Sequence, residues 1–142
     1  MAITQGMANS FKVQLLNGQH NFSSNTFKIA LYTSSATIGE TTTAYSATNE
    51  TSGTGYTAGG NTLSVSVVPT NTGNVAYLSF SNTTWTTATI TAAGALIYNT
   101  SLANAAVCVL NFGGDKTSTA GNFSVNFPTA DATSAIIRLT AS

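Results

Sequence analysis

The side chains of this sequence that could run acid–base chemistry are few: the carboxylates Glu40, Glu50, Asp115 and Asp131 and a single histidine, His20. Such catalysis needs at least two titratable groups held within hydrogen-bond reach of the proton being moved. All four carboxylates fall in segments that read as loops, where only the fold could bring a pair together. Capping, turn formation and solubility are the better account of each. His20 lies in Asn17-Gly18-Gln19-His20-Asn21-Phe22, just after a predicted helix. One histidine without a Cys/His/Asp cluster at ligand spacing does not define a zinc site, and a catalytic triad would need a distant Ser and Asp. A helix-end or loop hydrogen bond is its expected role.

Cys108 is the only cysteine, so no internal disulfide can form. It sits in the apolar run Ala105-Ala106-Val107-Cys108-Val109-Leu110, without a neighbouring base or cation to lower its pKa, and reads as a buried structural thiol. The glycine cluster Gly53 to Gly60 has neither a dinucleotide fingerprint nor a Gly-Lys-Ser/Thr ending. It also precedes a strand, where a phosphate loop must feed a helix. Gly113-Gly114-Asp115-Lys116 reads as a turn between strands rather than a calcium loop. Asn-x-Ser/Thr triplets at Asn21, Asn49, Asn82, Asn99 and Asn122 follow from a composition rich in those residues.

The elements that must position these groups are mostly strands. Met7 to Leu16 carries Met7, Phe11, Leu15 and Leu16 at helical spacing and stops at Asn17-Gly18, which predicts one short amphipathic helix. The period then changes to two, with Phe27, Ile29 and Leu31 alternating with Lys28, Ala30 and Tyr32. Further strands are predicted at Leu63 to Val68, Val75 to Phe80, Thr86 to Thr91, Ala95 to Asn99, Val107 to Phe112, Phe123 to Phe127 and Ala135 to Leu139. Pro69, Asn71, Gly73, Gly113, Gly114 and Gly121 punctuate the gaps. The pattern describes an all-β fold, a jelly-roll-like sandwich or barrel of about eight strands with one short N-terminal helix, in a single domain spanning residues 1–142. The expected core is Phe27, Ile29, Leu31, Leu78, Phe80, Leu96, Val107, Val109, Phe123, Val125, Ile136 and Leu139.

Between the first strand and the next lies a long loop or arm, residues 33–60, rich in Thr, Ser, Ala and Gly. Loops this long are usually functional. Such a composition supplies little apolar area against about 1 to 2 kcal/mol of backbone entropy per ordered residue, so a neighbouring subunit is expected to order it. Tyr45 and Tyr56 are the expected anchors, with Gly59 and Gly60 letting the backbone lie close to the partner.

Composition bounds the partners. Charged residues make up only 6% of the chain and the formal net charge is zero, against about 25% charged residues in ordinary soluble domains. So little charge gives a free monomer scant protection against association, and a homo-oligomer is expected. Lys12, Lys28, Lys116 and Arg138 are too dispersed to neutralise a run of phosphates, which argues against nucleic acid. No apolar run approaches the roughly 20 residues that span a bilayer, and no signal peptide is visible at the N-terminus. The chain is therefore expected to be made in a cytoplasm, without a membrane partner and without a cofactor.

Five stretches carry a family resemblance: Phe27-Lys28-Ile29-Ala30-Leu31-Tyr32-Thr33-Ser34, Thr51 to Gly60, Ala95-Leu96-Ile97-Tyr98-Asn99, Val109 to Lys116, and Ala135-Ile136-Ile137-Arg138-Leu139. Together they resemble a widespread group of small tailed-bacteriophage virion proteins, over nearly the whole chain. The resemblance implies a structural subunit of the virion, made in the host bacterial cytoplasm, contacting major capsid or tail proteins and clustering as a trimer. The expected role is an exterior accessory protein such as a capsid decoration or cement protein. The alternative is a tail, baseplate or fibre-associated protein, including a glycan-binding attachment module that would use Trp85 and the loop tyrosines as stacking platforms. The resemblance brings no catalytic residue with it.

Overall fold

Two runs that read as four short strands are in fact two long ones. In the computed structural model, which describes residues 2–140, the chain forms β1 (Gly6–Met7), α1 (Asn9–Leu16), β2 (Phe27–Tyr32), β3 (Asn61–Leu63), β4 (Val65–Thr72), β5 (Val75–Phe80), β6 (Thr83–Asn99), β7 (Ala105–Val125) and β8 (Ile137–Thr140). β6 and β7 pair antiparallel along their whole length and form the spine of the molecule. The predicted turn at Gly113-Gly114-Asp115-Lys116 is a bulge inside β7. Ala92 pairs with Lys116 and Gly94 with Asn111, so Phe112, Gly113, Gly114 and Asp115 stand opposite the single residue Ala93. Gly113 and Gly114 take positive φ there, at 80° and 144°, so the backbone loops out and resumes the same strand.

The strands divide into a five-stranded sheet, in the order β1-β7-β6-β2-β3, and a three-stranded sheet, in the order β4-β5-β8. All the strand pairings are antiparallel, and the fold is an all-β sandwich with one short helix. The predicted strand Leu63 to Val68 is split at Ser64. Leu63 ends β3 in the larger sheet and Val65 opens β4 in the smaller one, so the chain changes layers at that residue. Pro69 sits in β4 at a register shift between Val67 and Thr70, an edge position that can spare the N–H.

One apolar core joins both sheets. Phe27 of β2 and Phe80 of β5 approach with ring centroids 5.9 Å apart, and Phe22 stacks on Phe27 at 4.6 Å. The helix is shorter than predicted and begins at Asn9, because Met7 pairs with Cys108 in β1. Its buried anchor is Phe11, while Leu16 is 90% exposed and Val13 61%. The expected core holds except at the C-terminal strand. Strand β8 starts at Ile137, which pairs with Leu78 and is buried, whereas Ile136 is only partly buried and Leu139 is 45% exposed. A one-residue change of phase exchanges the two faces of a strand, and the adjacent isoleucines give the sequence no way to choose between them.

Candidate functional site

The arm leaves the end of β2 and returns to β3, its hydrogen-bonded neighbour, so both ends are pinned at one place on the larger sheet. Between them it is stitched to the domain at several stations. Ile38 bridges Ile3, and Ala44 bridges Ala105, with the Tyr45 N–H donating to the Asn104 carbonyl. Further on, the Thr51 N–H donates to the Leu31 carbonyl, and Thr54 bridges Thr89 of β6. This last pairing extends along the edge of β6 that β2 leaves bare.

At the centre of the arm stands Glu50. Its Oε2 accepts the Tyr45 hydroxyl at 2.7 Å, and its Oε1 accepts both the Tyr56 hydroxyl and the Gly59 N–H at 2.7 Å. The Tyr56 hydroxyl in turn accepts the Leu31 N–H at 2.9 Å, tying the carboxylate to β2. Tyr98 of β6 donates to the Gly59 carbonyl at 2.6 Å, and its ring stacks on Tyr45 with centroids 4.7 Å apart. Burial, reinforced by the Glu50 charge, raises Tyr45 and Tyr56 well above the ordinary phenol range, and the same causes push Tyr98 up to about 12. The hydroxyls stay protonated donors, and the carboxylate is occupied in accepting them.

From their residue types and setting, Tyr45, Tyr56, Gly59 and Gly60 are expected to meet a neighbouring subunit, which would order the arm. The structure places all four against their own domain, and the reason is a half-buried carboxylate, Glu50, that composition does not weigh. A carboxylate with three good donors offsets ordering entropy that Thr, Ser and Gly side chains do not. The close backbone approaches are also internal. Gly60 has φ +78° and a Cβ there would overlap the Ile29 carbonyl oxygen, while a Cβ on Gly55 would lie 2.8 Å from the Ala88 Cα. Glu50 is the residue that sequence reasoning passes over as a loop carboxylate. Its signal was available in its position between two tyrosines of an otherwise aromatic-poor arm.

The remaining candidates resolve into structural parts. His20 is buried between helix and sheet: its Nε2 donates to Gln14 Oε1 at 2.9 Å, while its Nδ1 accepts from Asn99 Nδ2 at 3.0 Å. This assigns the neutral Nε2-H tautomer, and burial lowers the imidazole pKa below its usual 6.5. Asp131 Oδ1 accepts the N–H groups of Thr133 and Ser134, a turn of the expected kind. Cys108 is buried in β7, and desolvation pushes its thiol up to about 12. Among the described residues no group of three His, Cys, Asp or Glu side chains stands together as a metal site.

Trp85 is 4% exposed, 5.8 Å from the Tyr56 ring and 6.2 Å from Phe123, so it packs inside the fold and offers no face to a sugar. No described helix is long and apolar enough to cross a membrane. Comparison with models of protein families, with curated proteins and with solved structures finds no match to this chain.

Proposed function

We propose that the chain is a structural subunit of a tailed-phage virion, an exterior accessory protein such as a capsid decoration or cement protein, acting through packing rather than chemistry. The observation that carries this reading is an exposed apolar face on a chain with almost no charge. On α1, Val13 and Leu16 point outward. Leu15, Phe22, Pro69, Ala76 and Leu139 line an apolar groove of about 100 Å³ between the helix and the smaller sheet. Val68, next to Pro69, is 62% exposed. Exposed apolar side chains and an apolar groove suit an assembly surface, and a net charge of zero leaves association unopposed.

The resemblance to small tailed-phage virion proteins supplies the setting: a particle surface where many copies of a rigid β module meet capsid or tail proteins. Homo-oligomerisation, with a trimer as the expected form, fits the same face. The test is biochemical. In density-purified particles of the encoding phage, peptides of this chain are expected by mass spectrometry in stoichiometric amount, and an antibody against it should label intact virions. Absence from washed particles, or labelling only after disruption, would overturn the exterior assignment.

A further inference from the structure

Residues 10–25, most of α1 and the loop after it, make no main-chain hydrogen bond to the rest of the domain among the described residues. Their hinges are Asn9, whose N–H donates to the Glu40 carbonyl at 2.8 Å, and Thr26, whose carbonyl accepts the Thr100 N–H at 2.9 Å. Between the hinges, the side-chain hydrogen bonds that reach the domain all come from one amide. Asn99 Nδ2 donates to His20 Nδ1 at 3.0 Å and to Asn25 Oδ1 at 2.9 Å. Phe22, stacked on Phe27, and the buried Phe11 supply the rest of the attachment. We propose that residues 10–25 form a flap fastened by His20 in its neutral form, and that protonation of His20 opens it.

The hydrogen-bond directions make this latch one-way. Asn99 Oδ1 accepts the Ser101 N–H at 2.9 Å, which fixes the Nδ2 end of that amide toward His20. His20 Nε2 already donates to Gln14 Oε1 at 2.9 Å. A second ring proton must therefore sit on Nδ1 and point at the Asn99 donor, with no acceptor in reach. Turning the amide over would break its bonds to Ser101 and to Asn25, whose Oδ1 also accepts the Asn21 N–H at 3.0 Å. No counter-ion faces the ring from any element packed on it. From α1 it meets Phe11, at 4.8 Å between centroids, and Gln14; from β2 it meets Phe27, at 6.4 Å; from β6 it meets Asn99. Lys12, the charged residue of α1, is exposed, and Lys28 follows Phe27 on the opposite face of β2, toward Gly59. Strand β6 and the loop at residues 17–25 carry no charged side chain. A buried charge without a partner is strongly disfavoured, whereas the open flap lets water solvate the imidazolium. Opening separates Phe22 from Phe27, so acid exchanges a closed aromatic cluster for exposed apolar surface beside the groove that Leu15 and Phe22 line. The flap does not rest on the virion reading.

NMR on the full-length chain tests the proposal, because His20 is the sole histidine and its ring signals report one titration. Amide exchange, corrected for its intrinsic pH dependence, should show the protection of α1 falling roughly tenfold between pH 7 and pH 5, in step with the ring, while the paired amides of β6 and β7 keep theirs. In His20→Gln the protection of α1 should no longer depend on pH over that range. Asn99→Asp places an acceptor opposite Nδ1 and should reverse the sign, so that α1 is better protected at pH 5 than at pH 7. His20→Gln carries the test by itself if the aspartate variant does not fold. Protection of α1 that is unchanged in the wild type, lost equally from β6 and β7, or lost to the same extent in His20→Gln would each overturn the proposal.

Discussion

The Tyr56 hydroxyl donates to Glu50 at 2.7 Å and accepts from the Leu31 backbone N–H at 2.9 Å, so one side chain links the half-buried carboxylate of the arm to the larger sheet. The arm is therefore tied to its own domain through side-chain as well as backbone hydrogen bonds.

Removing the carboxylate tests the clamp. Glu50→Ala deletes the acceptor of three hydrogen bonds and is expected to destabilise the fold by about 2 to 3 kcal/mol, since bonds to charged groups contribute more than neutral ones. Urea denaturation measures the loss, and hydrogen exchange should show it concentrated in residues 45–60. Unchanged protection of those amides would mean that the backbone stations hold the arm without Glu50.

Glycine substitutions test the close approaches. Gly60→Ala combines φ +78° with overlap of the Ile29 carbonyl and should cost at least about 3 kcal/mol. Gly73→Ala has φ +59° with open space around it and should cost only about 1 to 2 kcal/mol. Equal melting temperatures for the two variants would contradict the packing of the arm on β2.

Paired isoleucines test the phase of β8. Ile137→Ala empties a buried site and should cost about 2 to 5 kcal/mol, as should Leu31→Ala. Ile136→Ala, at a partly buried position, should cost clearly less. The reverse order would restore the phase that the sequence suggests.

That exchange shows where the sequence is legible and where it is not. Val75 to Phe80 is read to the residue, because alternation and the Gly73 turn leave no other phase. The end of α1 at Asn17-Gly18 is equally plain, with Gly18 at φ +71°. The β7 strand is read in pieces, because Gly113-Gly114 carries the signature of a reversing turn and only the pairing of Asn111 with Gly94 reveals a bulge. At the candidate site, Tyr45 and Tyr56 are recognisable as anchors, but the identity of what they hold is not. Glu50, Leu31 and Tyr98 converge there from three separate stretches of chain.

Stability should depend on pH through His20. Burial holds its folded-state pKa below 6.5, so the unfolded chain binds the proton more readily than the folded one. The contribution is complete above about pH 6.5 and is lost as pH falls through that value toward the lower folded pKa. Wild type should therefore lose more stability between pH 7 and pH 5 than His20→Gln. Identical losses would show that the imidazole is not held neutral by its site.

The central claim, a rigid accessory module on the outside of a tailed-phage particle, is tested most directly by cryo-electron microscopy of that particle. Density for the eight-stranded double layer is expected on the outer surface of the capsid or tail, with Val13, Leu16 and Leu139 in contact with a neighbouring subunit. A reconstruction in which the module is absent, lies inside the shell, or leaves that apolar face in solvent would contradict it.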